Sequence, residues 1–397
     1  MPTSRRLGPT ALALISFIFL IYVWARVIVP LELVEIRAQF GFSLAQGGLL
    51  ATVFTLGVTL MAIPAGIFAM RFGTRASLVL GVVLFSLATA WTGSGFGLAS
   101  MLASRVAGGI GESFYNISLL SLLGRSTEKH RATAAGFPAS LFGIGMFLAP
   151  SVIGSAMVLT GGWQIPFFVL AAIGLASAAL LWVLLGGDQA AREPRAPLTL
   201  AALRAFSRPA NFALLAVVAI DGIAAYSFIG LYQTFLRTDQ GFSLASAAVV
   251  FSAFGLGQVI GGVPLGWLAD RIGRRHYLPA AIALAALIGT SIFALPASVP
   301  VSSICALLFG MATNSIWVVS IALMQDQVEP ARIPLATGTL AIFYYGTASF
   351  SGWLLASAQH SLGWTGAAAL LYGVPYMFAL VAAAWLVRGT LAAHRTA

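Results

Sequence analysis

Apolar residues in this chain do not alternate with polar ones at a helical or strand period. They come in unbroken runs of about 20, separated by short polar breaks, along the whole length. A run of that length matches the hydrocarbon thickness of a bilayer when it is helical. Inside lipid each backbone N–H and C=O must be satisfied within its own segment, so such runs are read as helices. Twelve spans are expected, near 9–31, 46–70, 76–94, 97–123, 133–159, 165–186, 210–236, 244–269, 277–296, 299–323, 334–358 and 364–388. The first follows Arg5 and Arg6. It is too long for a signal-peptide core and no small-residue cleavage site follows it, so it reads as a span. The expected fold class is an all-α membrane protein.

The pattern also repeats. Residues 41–75, GFSLAQGGLLATVFTLGVTLMAIPAGIFAMRFGTR, match residues 241–275, GFSLASAAVVFSAFGLGQVIGGVPLGWLADRIGRR, at 14 of 35 positions without a gap, at an offset of 200. Two parallel-related halves of six spans follow, 1–186 and 209–397. A polar, Pro-containing cytoplasmic linker, 187–208, joins them. Parallel repeats of this kind underlie transporters that rock two halves about a central site.

Composition changes this picture only once charge is placed on it. Charged residues are 8% of the chain, yet the formal net charge is +10. If the N-terminus is cytoplasmic, nearly all the arginines, and Lys129, fall in inner loops; only Arg37 and Arg237 fall in outer ones. The excess is then a positive-inside signal and not a nucleic-acid footprint. Both termini are expected to be cytoplasmic. With 20 arginines, one lysine and abundant Ala and Gly, we expect a bacterial inner membrane. The single Cys305 leaves no internal disulfide and no cysteine-based metal site. The four histidines lie in or near loops or the tail. No nucleophile–base pair, metal spacing or nucleotide loop is visible, so no enzyme, metal or cofactor is expected beyond a coupling proton. The expected partners are a small organic anion and membrane lipid, with the protein a monomer.

Four ionisable side chains fall inside spans: Arg26, Arg105, Glu112 and Asp221. Charge at that depth is costly and marks cavities, relays and substrate paths. Arg105 and Glu112 are seven apart, close to two helical turns, so they share a face roughly 10 Å apart along the axis. Gly109 and Asn116 lie on the same stripe. Tyr22 and Arg26 are four apart and also share a face. Further cavity candidates are Tyr115 and Asn116, Gln258 in the eighth span, Asn314 and Trp317 in the tenth, and Tyr344 and Tyr345 in the eleventh. Both arginines are permanent cations, whereas Glu112 and Asp221 can be neutralised. Proton uptake on Glu112 would therefore free an arginine to hold a carboxylate. A static ion pair that only fixes packing is the alternative.

The second repeat carries Gly266-Trp-Leu-Ala-Asp270-Arg271-Ile-Gly273-Arg274-Arg275, which resembles the loop signature of the major facilitator superfamily. The first copy, Gly66-Ile-Phe-Ala-Met70-Arg71-Phe-Gly73-Thr-Arg75, departs from it at Met70. The resemblance implies that these loops latch the halves on the inner side, with the first-half latch weakened. The fifth-span pattern Gly143-x-Gly145, Pro150, Gly154 is similar to one found in that superfamily. It is read equally as helix packing or as a hinge. Arg105-x-x-x-Gly109-x-x-Glu112 with Arg26 resembles the anion:cation symporter branch. That implies carboxylate binding by Arg26 and proton coupling by Glu112. The branch often has an acid just before the arginine; here it is Ala25. Either a second proton site is missing or Asp221 takes its place. The function expected is proton-coupled symport of a small organic anion. Proton-coupled efflux of drugs or amphipathic metabolites is the alternative, since spinster-like lipid transporters share part of the pattern.

Overall fold

The computed structural model describes residues 9–123, 131–185, 209–295, 298–328 and 333–395. The linker expected at 187–208 lies outside them. The chain runs α1 Pro9–Leu31, α2 Leu33–Phe40, α3 Leu44–Thr52, α4 Phe54–Phe72, α5 Thr74–Ser94, α6 Leu98–Leu123, α7 Arg131–Thr160 and α8 Gln164–Leu184. It continues α9 Pro209–Thr238, α10 Leu244–Gly261, α11 Val263–Ile272, α12 Arg274–Ser291, α13 Val299–Gln325, α14 Ile333–Ala348, α15 Ser351–Ala368, a π turn Ala369–Gly373 and α16 Val374–Arg395. No strand occurs among the described residues.

Nine stretches of the described residues are long and apolar enough to cross a bilayer on their own. One of them, Ala336–Val387, is two passes that turn at Gly363, whose φ of 67° and ψ of 175° break the helix. The helices α6 and α12 fall outside the nine and complete the twelve passes. In α6 the shortfall has a cause: Arg105, Glu112, Asn116 and its glycines and serines dilute the run. The second pass is α3 plus α4, broken at Val53. The eighth is α10 plus α11, broken at Gly262. Large apolar side chains such as Val158, Leu159, Val183, Phe378 and Val381 are exposed on the outside of the bundle, as a lipid-facing belt requires.

The duplication is visible in backbone detail. Ser43 and Ser243 each cap the following helix, their hydroxyls accepting from the N–H three residues on. Gly73 and Gly273 both turn at left-handed φ, 93° and 100°, where a Cβ would be strained. Gly57 and Gly109 bring α4 and α6 together with no room for a Cβ against the carbonyls of Val106 and Phe54. Gly257 and Gly310 do the same for α10 and α13, against the carbonyls of Leu307 and Phe254.

Two seams join the halves. On one, α7 packs along α10 and α11: Gly143 lies against Val259, Gly255 against Phe147, and Gly136 against Gly262. Ser140 donates to the Val259 carbonyl at 3.0 Å and accepts from Val263 N at 2.9 Å. On the other, α3 and α4 pack on α15 and α14: Gly48 meets Gly352, and Thr52 donates to the Ser349 carbonyl at 3.0 Å. Gly143 and Gly145, which touches Val23, thus serve close packing.

Candidate functional site

Arg26 lies on α1 four residues after Tyr22 and four before Pro30. The first spacing stacks Tyr22 and Arg26 on one face, and Arg26 Nη1 donates to the Tyr22 hydroxyl at 2.9 Å. Tyr22 in turn donates to Glu112 Oε1 at 2.5 Å. Glu112 and Arg26 themselves are 3.5 Å apart, with side chains 2% and 4% exposed. Cation, phenol and carboxylate therefore form one buried chain. Gly109 sets its dimensions, because the absent Cβ lets α6 close onto α4.

The second spacing explains Arg105. Pro30 has no N–H, so the carbonyl of Arg26, four residues earlier, loses its helical partner. Arg105 Nη2 donates to that carbonyl at 2.8 Å, and Nη1 to the Ala25 carbonyl at 3.0 Å. Arg105 thus supplies the donor that Pro30 lacks and forms no ion pair with Glu112, although the two share a face of α6.

The Arg26 guanidinium faces both halves. Its Cζ lies 4.3 Å from the Phe54 ring centroid and 5.3 Å from that of Phe142. Across the midline it lies 4.8 Å from Tyr226 and 5.2 Å from Tyr345. Aromatic faces stabilise a desolvated cation without neutralising it. Nε and Nη2 of Arg26 make no hydrogen bond of ordinary geometry to the described residues. Beside the chain is a cavity of about 20 Å³, lined by Arg26, Arg105, Glu112, Thr92 and Ser104 among others. That is room for about one water, so cargo enters only when the halves part.

Trp317, Tyr344 and Tyr345 belong to the same aromatic wall: Trp317 and Tyr344 are 4.4 Å apart by centroid, and Tyr344 is 5.8 Å from Tyr226. Tyr226 was missed as a site residue. Its signal was its position, exactly one repeat offset from Arg26. The other candidates lie elsewhere. Tyr115 donates to the Ile15 carbonyl at 2.6 Å and packs on Phe19 and Phe85. Asn116 is half-buried on the same turn. Asn314 donates to the Gln258 carbonyl at 2.6 Å and the Ala139 carbonyl at 3.3 Å, and Gln258 reaches Thr313 at 3.5 Å. These two staple α13, α10 and α7.

Asp221 needs a correction. The sequence offered it no partner in its own half, but Tyr376 of α16 donates to its Oδ1 at 2.8 Å. It is fully buried and is tied by this bond to the twelfth pass. No spacing along the chain could signal a contact 155 residues away.

Ion pairs close both ends. At the end carrying the termini, Asp270 accepts from Thr133 N at 3.0 Å and Thr133 Oγ1 at 2.7 Å, and from Arg274 Nε at 2.7 Å. Asp326 accepts from Arg131 Nη1 at 3.0 Å and also from Arg274. Arg131 and Thr133 belong to the first half and the two carboxylates to the second. Among the described residues the first-copy loop makes no such bridge. Arg75 binds the Trp182 carbonyl and lies 3.8 Å over that ring, within its own half, and Arg71 lies over Phe72. Arg271 lies over Trp267; Gly66 is within α4, Gly266 within α11 and Arg275 in the first turn of α12. At the opposite end Arg237 grips Glu35 with both nitrogens, at 3.1 and 2.5 Å.

A twelve-pass bundle of two matched halves, closed at both ends around a buried cation, is the architecture of an alternating-access carrier. The chain belongs to the Major Facilitator Superfamily, whose family model matches residues 12–220 and 214–396. It is 23% identical over 269 residues to the Multidrug resistance protein 1 of Bacillus subtilis, across 67% of each chain. It is 26% identical over 269 residues to the D-galactonate transporter of Escherichia coli O6:H1, across 61% of this chain and 62% of that one. Among solved structures, a bacterial homologue of the human lysosomal transporter Spinster, in an inward-facing and occupied conformation, superposes with a TM-score of 0.73. That match covers 98% of this chain and 97% of the other at 18% identity.

Proposed function

We propose that this protein is a proton-coupled symporter of a small organic anion, a carboxylate, in a bacterial inner membrane with both termini cytoplasmic. The observation that carries the reading is Arg26: a buried guanidinium facing both halves, with two nitrogens that make no hydrogen bond of ordinary geometry to the described residues and an ion-pair partner in Glu112. While Glu112 is charged it neutralises Arg26 directly and through Tyr22. A proton on Glu112 removes that charge and leaves a cation in an aromatic cage. A carboxylate fits the open fork of the guanidinium in bidentate fashion. Proton and anion then load together, and each makes the other's binding more favourable. Arg105 holds the Arg26 turn of α1 through its carbonyls and adds positive potential. The galactonate relative agrees with an anionic cargo. Efflux of an amphipathic anion is the second reading, favoured by the aromatic wall of Trp317, Tyr344, Tyr345 and Tyr226 and by the multidrug-resistance relative.

The test is uptake into liposomes holding a pH-sensitive dye, under an inward proton gradient, with a panel of sugar acids, mono- and dicarboxylates and amphipathic anions. Wild type is expected to acidify the lumen with at least one anion. Glu112→Gln is expected to lose acidification while keeping anion-for-anion exchange. Unchanged acidification in Glu112→Gln would overturn the mechanism. Proton release from liposomes preloaded with an amphipathic compound would establish the efflux reading.

A further inference from the structure

The fifth-span residues Pro150 and Gly154 play no part in the Arg26 chain. They line a second, smaller cavity of about 10 Å³ near the opposite end of the bundle, together with Glu32, Gln233, Met157 and Leu244. Glu32 joins α1 to α2, roughly 9 Å beyond Arg26 along the axis. It is 1% exposed, and neither carboxyl oxygen has a hydrogen-bond partner among the described residues. Gln233, also buried, lines the same cavity, and its Oε1 likewise has none among them. A buried carboxylate whose two oxygens are left unpaired is an unstable arrangement. A single proton on Glu32 turns one acceptor into a donor and removes the charge.

The surroundings supply no competing cation. The charged groups on α1, α2 and α9 are each engaged elsewhere: Glu35 with Arg237, Arg37 with the Phe42 carbonyl, Arg26 with Glu112 and Asp221 with Tyr376. The segments of α7 and α10 that wall the cavity carry no ionisable residue. Apart from Gln233 the wall is apolar, too poor in oxygens to replace the hydration shell of a metal cation.

We propose that Glu32 is a second proton-binding site, separate from the Arg26 chain, and that its protonation holds the outer end of the carrier shut. The mechanism follows from position. Glu35, three residues on, is the first-half member of the outer ion pair. Closing that pair seals Glu32 from water; opening it wets the carboxyl. Burial, with a smaller contribution from Glu35, pushes the closed-state carboxyl up to about 9. In water its range is that of an ordinary glutamate, about 4.3. The sign follows by linkage: the closed state binds the proton more tightly, so acid favours closure. That preference is complete below the open-state range and lost as pH rises toward 9. This inference rests on the alternating-access reading and not on the role of Glu112.

The test is an outer-end distance, measured between spin labels on Leu159→Cys and Gln240→Cys in a Cys305→Ala background, in lipid nanodiscs, from pH 5 to pH 10. The expected result is a short distance in acid and a growing population of longer distances as pH rises. Glu32→Gln should stay short at every pH. If Glu32→Gln is poorly folded, Glu32→Asp serves: it should retain the pH response with a shifted midpoint. Infrared difference spectra provide an independent readout, with a protonated-carboxyl band present in wild type near neutral pH and absent in Glu32→Gln. A pH response of the distance that persists in Glu32→Gln overturns the proposal. So does closure driven by sodium at constant pH and lost in Glu32→Gln. A failure confined to Glu112→Gln uptake bears on the proposed symport alone.

Discussion

The two halves share a backbone plan and divide the chemistry between them. At the repeat offset of 200, Arg26 falls on Tyr226. With Gly109 set on Gly310, as their matched helix contacts require, Glu112 falls on Thr313. The first half therefore carries the buried cation and its acid, and the second presents an aromatic ring to that cation from the equivalent place, 4.8 Å away. At the end carrying the termini the asymmetry reverses. Asp270 bridges the halves, and its counterpart Met70 has no charge to offer. The difference teaches that duplication copies the scaffold, whose glycine contacts both halves need. It does not copy buried charge, because a second arginine opposite Arg26 would repel the first in a region with little solvent to screen it.

The comparison is broken most directly at Arg26. Arg26→Ala should abolish uptake, and Arg26→Lys should lower it more than about tenfold. Lysine keeps the charge but lacks the planar fork and the flat face that the cage accepts. Tyr226→Phe, at the equivalent position, keeps the ring and should change uptake by less than about threefold. Equal losses in Arg26→Lys and Tyr226→Phe would refute the division of labour.

The acids sharpen the comparison next. Glu112→Gln should uncouple uptake from the proton gradient. Asp221→Asn should leave coupling intact, because its contact is the Tyr376 hydroxyl and not an arginine. Initial rates across a pH series decide it: a flattened profile in Asp221→Asn would return that residue to the coupling machinery.

At the latch, Asp270→Asn leaves the shape and removes a charge bonded to Thr133 and Arg274. Charge-assisted bonds of this kind contribute about 1.5–3 kcal/mol each where partly buried. The expected result is a shift of at least tenfold toward the form open at that end, read as cysteine accessibility in the cavity. Met70→Asp should move the equilibrium far less, since the neighbouring Arg71 and Arg75 are engaged within their own half. A larger effect from Met70→Asp would show that the first-copy latch works as well.

Most of the scaffold was legible because its signals are periodic or compositional. The runs, the repeat and the basic loops each need only one stretch of chain at a time. The four ionisable residues inside the spans were legible as such, since each contradicts the surrounding hydropathy. Their partners were not. Tyr376 on Asp221 and Thr133 on Asp270 depend on which helices the fold sets side by side. Glu32 escaped notice because it stands just past the end of a span, where a carboxylate ordinarily meets water, and only the packing of α7 and α9 over it reveals the burial.

Arg105 is the intermediate case, and it supports the finest test. The sequence placed it correctly on the face of Glu112 and thereby suggested the wrong partner. The signal for the right one was Pro30, which frees the carbonyl that Arg105 binds. In Pro30→Ala the new N–H can take that carbonyl back, so Arg105 should matter less. The two substitutions then fail to add. Arg105→Met alone should lower thermal stability, and in the Pro30→Ala background it should lower it less, with a coupling of about 1 kcal/mol. Uptake should follow the same pattern if the hydrogen bond to the Arg26 carbonyl, and not the charge of Arg105, is what places Arg26. Strict additivity in both readouts would mean that Arg105 acts through its charge on the cavity. The first half would then hold two working cations rather than one cation and its support.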